Sequence, residues 1–388
     1  MSFYVQHGYG KGSKIQNLNA RANLSGVILS PSDEGPVQLQ QTVDICNSLG
    51  LRVLIDPQTY VYSVNPPGSP KRHIENGIES KPIHWAYDSS AIVDVVSTIG
   101  RMNERLDIND TLIAPTVMQP GFSDVWTPLA LQFARASASA WGNDRTLVSL
   151  ALEEQSLSSW ALIDQWLDVI TTLDVRGFYV VVQRNQSTYP APPWRPEALS
   201  NLLRLFYILG EINGYEILWG YSDIEGLLGI AAGVSGIASG WNYGSRKFSM
   251  SKWQPSTGGR APVPRLNLTP LVTPVKAIGE ANILFNSEFR ERLFSREQVE
   301  KFSDAPFQNW SRLEAQEGHL EFCASEASRL GQVGDINLKL NLLESRFAET
   351  LEIFSDIKAS GLVLDPTYSG RVESFQESIR LFRQAEAL

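Results

Sequence analysis

The stretch TLVSLALEE, Thr146 to Glu154, is followed by a segment of helical period and then by GFYVVVQRN, Gly177 to Asn185. Both are apolar runs of strand composition that end abruptly in polar residues. Five further runs share this description: GVILSPSD from Gly26 to Asp33, RVLIDPQ from Arg52 to Gln58, TLIAPT from Thr111 to Thr116, EILWGYSD from Glu216 to Asp223, and GIASGWN from Gly236 to Asn242. Helical segments separate most of them, which is the pattern of successive βα units around a parallel sheet. Seven such units predict an α/β fold, a TIM-type (β/α)8 barrel.

The rest of the chain divides around this barrel. Residues 1–24 are polar and Gly-rich without a clear period, so we expect an N-terminal arm, with the barrel at 25–294. A long insertion, 57–110, follows the second run, and loops of such length at a strand's carboxyl end are often functional. Two segments compete for the eighth strand, Leu266 to Val272 and Ala281 to Phe285.

The C-terminal segment, 295–388, has no strand runs and predicts a helical extension. One interpretation is that these helices cover the outside of the barrel or complete its helix ring. The other is that they dock a protein partner, because barrels seldom need this much additional helix.

Composition narrows the class of protein. The chain has 388 residues, of which 43% are apolar, and a net charge of -9, which argues against a protein that coats nucleic acid non-specifically. No apolar run approaches the length of a membrane span, and the first residues lack a secretory signal, so we expect a cytoplasmic protein without a membrane partner. The two cysteines and four histidines show no metal-ligand spacing, and we expect neither a metal nor a cofactor.

Candidate site residues follow from the fold, because barrel enzymes use the loops at the carboxyl ends of their strands. The candidates for catalysis are Glu153 and Asp56, and those for substrate binding are Asp33, Gln58, Gln183, Arg184, Trp241 and Asn242. Structural alternatives stay open. Glu153 can pair with Arg184, Asp56 before Pro57 can cap the following backbone, and Asp223 is placed as a helix N-cap.

A basic segment interrupts this acidic protein. No acidic residue lies between Glu225 and Glu280, and Phe248 and Trp253 are interleaved with the basic residues of that interval. The candidates for binding an anion or nucleic acid are Arg246, Lys247, Lys252, Arg260 and Arg265. In many barrels the phosphate site follows strands seven and eight, where this segment falls. The alternatives are a solvated loop or a surface that docks on an acidic patch.

The run ILWGYSDIEGLLGIAAGVSGIASGWNYGSRKF, Ile217 to Phe248, resembles the late barrel segment of the tRNA-guanine transglycosylase superfamily and its DNA-modifying deazaguanine relatives. The resemblance implies a TIM barrel, a connection with nucleic acid and base exchange through an Asp nucleophile on a late strand. At that place this sequence has Ala238 and Ser239, and the family's closely spaced zinc cysteines are absent. Ser239 is therefore the third candidate for catalysis.

Two hypotheses from different classes follow. In the first, the chain is a transglycosylase-like transferase that acts on a nucleobase, a nucleotide or another phosphate-bearing small molecule. In the second, it is a barrel without chemistry that serves as a recognition or scaffold subunit of a complex. Carbohydrate hydrolysis is a weaker third candidate because it needs two facing carboxylates, and only Glu153 suits that role.

Overall fold

The computed structural model describes residues 2–8, 13–63, 71–78, 82–122, 125–184, 188–253, 262–304 and 307–388. Within these residues one sheet contains nine strands, and each neighbouring pair is parallel. The strands are β1 (Ser2–Gln6), β2 (Gly26–Leu29), β3 (Arg52–Ile55), β4 (Leu112–Ile113), β5 (Met118–Gln119), β6 (Thr146–Glu153), β7 (Gly177–Gln183), β8 (Glu216–Trp219) and β9 (Gly236–Gly240).

The order of the strands makes this sheet a nearly closed barrel. It runs β3-β2-β1-β9-β8-β7-β6-β4, and β5 also pairs with β6, so that β4 and β5 are two short pieces of one barrel strand. One gap remains in the ring, between β3 and β4. Thr59 bridges it, because its Oγ1 donates to Thr116 O at 2.7 Å and accepts from Thr116 N at 2.8 Å. The prediction of a TIM-type α/β barrel is confirmed.

The first strand corrects the expectation of an N-terminal arm at 1–24. Ser2–Gln6 lies between β2 and β9, with Tyr4 opposite Gly26 on one side and Ala238 on the other. The barrel therefore begins before residue 25. This five-residue run has strand composition, but the polar, Gly-rich residues that follow it hide the pattern.

The last barrel strand is also different from the expectation. Gly236–Gly240 closes the circle next to β1 and is the eighth strand, so neither segment predicted for that place belongs to the barrel. The first candidate overlaps β10 (Arg265–Leu268), which forms a separate antiparallel hairpin with β11 (Thr273–Lys276). The second is helical, because Asn282–Phe285 is a short α-helix.

Helices surround the sheet. They are α1 (Lys14–Asn19), α2 (Pro36–Ser48), α3 (Lys71–Glu75), α4 (Pro82–Tyr87), α5 (Ser89–Arg105), α6 (Trp126–Trp141), α7 (Trp160–Ile170), α8 (Pro196–Phe206), α9 (Gly226–Ala231), α10 (Tyr243–Arg246), α11 (Asn282–Phe285), α12 (Arg290–Leu293), α13 (Arg296–Asp304), α14 (Arg312–Gly331), α15 (Ile336–Ala359) and α16 (Thr367–Glu386). The local sequence determines where individual helices begin. Asp88, for example, accepts a hydrogen bond from Ser90 N at 2.9 Å and caps α5, as the sequence predicts.

The C-terminal helices pack on the barrel. Helix α14 lies against β1 and β9 and so fills the last place in the helix ring, whereas α15 packs on α9 and α16 on α8. Arg371 of α16 is fully buried, and its Nη2 donates to Glu225 Oε1 at 3.0 Å. None of the helices in the described ranges is long and apolar enough to cross a membrane.

The floor of the barrel, at the amino ends of the strands, is held by a group of polar side chains that we call the floor cluster: Tyr4, Arg52, Thr111, Arg176 and Glu216. Arg52 Nη1 donates to Glu216 Oε1 at 2.9 Å and to Tyr4 Oη at 3.0 Å. Arg176 Nε donates to the other oxygen of Glu216 at 2.5 Å. The glutamate thus joins three strands of the barrel, which makes this end rigid.

Candidate active site at the barrel mouth

The alternation of side chains along each strand brings polar groups to the barrel axis at the mouth, the edge formed by the carboxyl ends of the strands. Tyr4 and Gln6 lie two residues apart on β1 and share a face, which is the interior. Tyr179 of β7 also faces the interior, because its hydroxyl donates to Asp56 Oδ2 at 3.0 Å and lies 3.3 Å from Gln6 Oε1. Asp56 follows β3 directly. Three strands therefore place side chains around one carboxyl group.

Asp56 is the centre of this arrangement. Its Oδ2 also accepts from Tyr60 Oη at 2.7 Å, and its Oδ1 accepts from Gln58 N at 3.0 Å, so the backbone-capping role expected for this residue is present. The side chain is completely buried. Burial raises the pKa of Asp56 from 3.8 to about 6, although the hydrogen bonds from Tyr60, Gln58 and Tyr179 favour the ionised form. A carboxyl with such a pKa can both take up and release a proton near neutral pH.

Gln58 and Tyr221 form a second layer of the mouth. Gln58 Nε2 donates to Tyr221 Oη at 2.8 Å and to Ser30 Oγ at 3.0 Å, and its Oε1 accepts from Ser32. Both residues have left-handed backbones, with φ of 55° and 54°. Non-glycine residues in this conformation carry strain, and such positions cluster at functional sites. The fold therefore holds these two side chains in place against their backbone preference.

Two buried glutamines carry amide atoms without partners in the described part of the chain, but only Gln6 faces the barrel interior, because Gln119 lies opposite Leu152 on β6 and shares its outer face. Gln6 Nε2 is unpaired, and Gln119 on β5 has neither Nε2 nor Oε1 paired, although both side chains are buried. A buried amide without a hydrogen bond destabilises the fold by about 1–3 kcal/mol. Such groups usually indicate an ordered water or a ligand that pairs with them.

An aromatic segment covers the mouth. We call Lys247 to Trp253 the mouth segment. Its Phe248 packs edge-on against Tyr60, with ring centroids 4.9 Å apart, and lies 5.5 Å from Tyr221. Lys252 Nζ binds Asp33 Oδ2 at 2.8 Å. This ion pair fastens the mouth segment to the loop after β2. Asp33 therefore contacts the mouth segment through Lys252.

The basic residues of the sequence analysis are mostly committed to the protein itself. Arg246 is buried and its Nε donates to Gly240 O at 3.1 Å, Lys247 donates to Thr188 O, and Arg265 Nη1 donates to Pro274 O at 2.9 Å. Burial, with Arg184 nearby, lowers the pKa of Lys247 to about 8.

The positions of these residues do not form the open anion-binding surface expected from the sequence. Their donors satisfy backbone carbonyl oxygens of this protein, and Lys252 is paired with Asp33. Arg260 lies outside the described residues.

We call Glu153 and Glu154, at the end of β6, the acidic rim. The residue of this rim that pairs with Arg184 differs from the expectation. Arg184 pairs with Glu154, Nε to Oε2 at 3.0 Å, and not with Glu153. Glu153 is half-buried and accepts from Gln155 Nε2 at 2.6 Å, while Gln183 lies opposite it on β7. Glu153 thus contacts neither Asp56 nor Arg184 through a described hydrogen bond, and the rim is a separate group from the Asp56 cluster.

Three predicted residues at the end of β9 face away from the mouth. Ser239 is opposite Val5 in the sheet register, so it shares the outer face with Val5 and turns to α14. Trp241 is buried and its Nε1 lies 3.4 Å from His7 Nδ1. Asn242 Oδ1 accepts from Arg312 and Gln316 of α14, at 3.0 and 2.9 Å. A catalytic role of Ser239 at the mouth is therefore wrong on geometry, because side chains alternate along a strand.

The described part of the mouth is closely packed. A cavity of about 20 Å³ lies beside it, and its lining includes Arg184, Trp194, Tyr221, Asp223 and Lys247. That volume suits a single water. A substrate at Asp56 would therefore need the mouth segment to move, which is ordinary behaviour for loops over barrel sites.

Sequence reasoning missed several residues of the site: Gln6, Tyr60, Tyr179 and Tyr221 as a contact of Gln58. A local signal exists for two of them, because Gln6 ends an apolar run and Tyr179 carries the only hydroxyl in GFYVVVQ. The others become recognisable only when the barrel brings distant strands together.

No protein-family model matches this chain, and no curated protein matches it in sequence.

Proposed function

We propose that this barrel is a transglycosylase-like enzyme that exchanges or cleaves the bond to a nucleobase, with Asp56 as the group that transfers the proton. The observation that carries the proposal is the buried Asp56 carboxyl, which has a pKa of about 6 and accepts hydrogen bonds from Tyr60 and Tyr179. General acids and bases work best when their pKa lies near the operating pH.

The other groups at the mouth support a planar, heteroaromatic substrate. The Gln6 amide has an unpaired Nε2 and lies beside Tyr179 in the interior, and glutamine side chains can read the edge of a base through such an amide. Phe248, Tyr60 and Tyr221 offer aromatic rings around Asp56 and Gln58. Enzymes that act on bases combine edge-reading hydrogen bonds with stacking in the same way. A phosphate has less support, because the described basic residues nearby already bind protein oxygens.

The residues have distinct roles in this proposal. Protonated Asp56 donates its proton to a ring nitrogen of the base as the bond between that nitrogen and the sugar carbon breaks. The sugar carbon then takes a water or an incoming base, and Asp56 recovers its proton from that nucleophile. Tyr60 and Tyr179 stabilise the carboxylate between these steps, since both hydroxyls donate to Oδ2.

A recognition or scaffold role is the second candidate, and one surface favours it. Leu338 and Leu342 lie one turn apart on α15 and are 56% and 41% exposed, so they form a small apolar strip on the C-terminal helices. Under this alternative the strip contacts a protein partner and the mouth stays closed. In either role we propose a cytoplasmic protein.

The experiment compares the wild type with Asp56→Asn, and uses Asp94→Asn on the exposed face of α5 as the matched control. A panel of nucleosides, nucleotides and labelled free bases is tested for binding by calorimetry and for turnover by chromatography. We expect Asp56→Asn to bind within about threefold of the wild type and to lose roughly 10²- to 10⁴-fold in turnover. The control should match the wild type in both.

The pH profile adds a second readout. The kcat/KM of the wild type should change with an apparent pKa near 6, the value for Asp56, and this limb should be absent in the residual activity of Asp56→Asn. Failure of the wild type to bind any member of the panel, or full turnover by Asp56→Asn, would refute the proposal.

A further inference from the structure

A second buried polar cluster lies outside the barrel, between β9 and α14. His319 Nε2 is 2.9 Å from Asp223 Oδ1, 3.3 Å from Ser239 Oγ and 3.6 Å from Cys323 Sγ. All four side chains are buried. One ligand atom each from Asp223, His319 and Cys323 lies within 4.8 Å of the other two. Three heteroatoms from three parts of the chain therefore surround one imidazole nitrogen.

A hydrogen bond at Nε2 accounts for one of these three contacts. A neutral imidazole nitrogen carries either one proton or one lone pair, so Nε2 can form one good hydrogen bond. The expected N-cap role of Asp223 is also absent, since its φ is 49° and its carboxylate points to His319 and not to the backbone of the following helix. The strained backbone holds the carboxylate in the cluster.

The other nitrogen of His319 provides an independent observation. Asn267 Nδ2 lies 3.3 Å from His319 Nδ1, while Asn267 Oδ1 is buried without a partner in the described residues. A rotation of the amide by a half-turn exchanges these two atoms, and it lets Oδ1 accept a proton from Nδ1. That tautomer leaves the lone pair of Nε2 directed at Asp223 and Cys323. Metal-binding histidines are oriented by such a partner on the second nitrogen.

We propose that Asp223, His319 and Cys323 bind a divalent transition-metal ion of the zinc type, with the Ser239 hydroxyl beside the fourth position. Imidazole, thiolate and carboxylate are the ligands that Zn²⁺ takes in tetrahedral sites. His319 and Cys323 are four residues apart on α14, so both side chains lie on one face of the helix. The carboxylate and a thiolate together balance the charge of the ion.

The neighbouring cations have partners of their own. Arg371 Nη2 lies 3.7 Å from Asp223 Oδ2 but donates to Glu225 Oε1 at 3.0 Å. Arg246 donates to Gly240 O at 3.1 Å and to Tyr189 Oη at 3.2 Å. These contacts let Asp223 exchange an interaction with Arg371 for a bond to the metal while both guanidinium groups stay hydrogen-bonded.

The position of the site defines its role and its access. Asp223 lies in the loop after β8, Ser239 lies on β9, and the ligands His319 and Cys323 lie on α14, so the ion would fasten α14 to two neighbouring strands. His319 and Asn267 line a cleft of about 460 Å³ between the β10–β11 hairpin and α14, which gives the ion a route in. The site is separate from Asp56, and its existence does not depend on the proposed function.

The test uses the full chain and two probes, Zn²⁺ and Co²⁺. Protein purified without chelators is analysed for metal by mass spectrometry, and stripped protein is titrated with Co²⁺. We expect one metal per chain and a thiolate-to-cobalt charge-transfer absorption. Saturation with Zn²⁺ should raise the Tm of stripped protein by roughly 5 °C, because the ion binds the folded state only.

The two cysteines of the chain give a matched pair of variants. Cys323→Ser should lose the charge-transfer absorption and most of the metal, whereas Cys46→Ser, which alters the other buried cysteine, should keep both. Asp223→Asn retains both thiols and should weaken binding at least tenfold.

Three results would overturn the proposal: wild-type protein that neither retains nor binds metal, a Tm that Zn²⁺ does not change, or a cobalt–thiolate absorption that persists in folded Cys323→Ser. If Cys323→Ser fails to fold, the wild-type titration and Asp223→Asn still decide the question.

Discussion

The two ends of the barrel treat a carboxyl group in opposite ways. At the floor, Glu216 lies between Arg52 and Arg176, and hydrogen bonds from both hold its pKa below the usual value although burial opposes this. At the mouth, Asp56 is hydrogen-bonded only to hydroxyls and to a backbone amide, and burial raises its pKa to about 6.

This difference separates stability from function. A carboxylate paired with two guanidinium groups stays ionised and fastens strands together. A carboxyl group without a neighbouring cation in direct contact destabilises the fold when it ionises, so its position needs another explanation, and proton transfer supplies one. Barrel enzymes in general place stability at the floor and chemistry at the mouth.

A clear loss of stability is expected at the floor. Glu216→Gln leaves Arg52 and Arg176 with only the exposed Asp110 as an anion and should lower the free energy of unfolding by about 1–2 kcal/mol, less than for a fully buried pair because the cluster is partly exposed. Urea denaturation at pH 7 measures this, with Glu211→Gln at an exposed position as the control. The loss should disappear at low pH, since the stability that Glu216 contributes is present above its unfolded pKa and is lost as pH falls through its lower folded pKa. Equal stability of the variant and the wild type at pH 7 would show that the floor cluster does not fasten the barrel.

The opposite sign is expected at the mouth. Asp56→Asn should raise the free energy of unfolding at pH 7 by up to about 3 kcal/mol, because the folded pKa lies above the unfolded one. In the wild type this contribution is fully present below pH 3.8 and is lost as pH rises through about 6, so the variant's advantage should grow between these values and then level off. Chemical denaturation across this pH range gives the result. A variant that is less stable at neutral pH would contradict the assignment of a raised pKa.

A smaller effect is expected where the mouth is covered. Lys252→Ala removes the ion pair with Asp33 and should cost less than about 1 kcal/mol in global stability, because the pair is partly exposed. Hydrogen exchange of the amides in the mouth segment should become severalfold faster, while exchange in the barrel strands stays unchanged. Lys71→Ala on α3 is the control. Unchanged exchange of the mouth segment in Lys252→Ala would mean that Phe248, and not the ion pair, holds it closed.

Much of the fold could be predicted from the sequence because most strands are apolar runs that end in polar residues. The pattern does not predict the first strand, because Ser2–Gln6 is short and the residues that follow it are polar and Gly-rich. Without this strand, the sequence pattern gives Gly236–Gly240 as the seventh strand of the barrel. A segment that belongs to a hairpin outside the barrel is then predicted as the eighth. Strand composition does not reveal which strand pairs with which.

The site was only partly predictable for the same physical reason. Asp56 and Gln58 are predictable because they come just after a strand, whereas the contacts of Tyr179 with Gln6 and Asp56 depend on closure of the barrel. Asp223 and His319 are distant in sequence, and only the packing of α14 on β9 joins them. Ser239 was misplaced because a strand's end predicts nearness to the mouth but not which face a side chain takes.

The pairing of β1 with β9 limits how the chain can fold while it is being synthesised. Residues 2–6 are hydrogen-bonded to residues 236–240, so β1 has one of its two partners only after most of the barrel has been translated. Until then one edge of β1 and the outer edge of β8 present unpaired backbone groups, which are the surfaces through which partly folded chains associate. Closure of the ring by such a distant contact is expected to be late and slow. Late closure keeps these strand edges exposed for longer, so the topology of this barrel favours association between partly folded chains, whatever its chemistry.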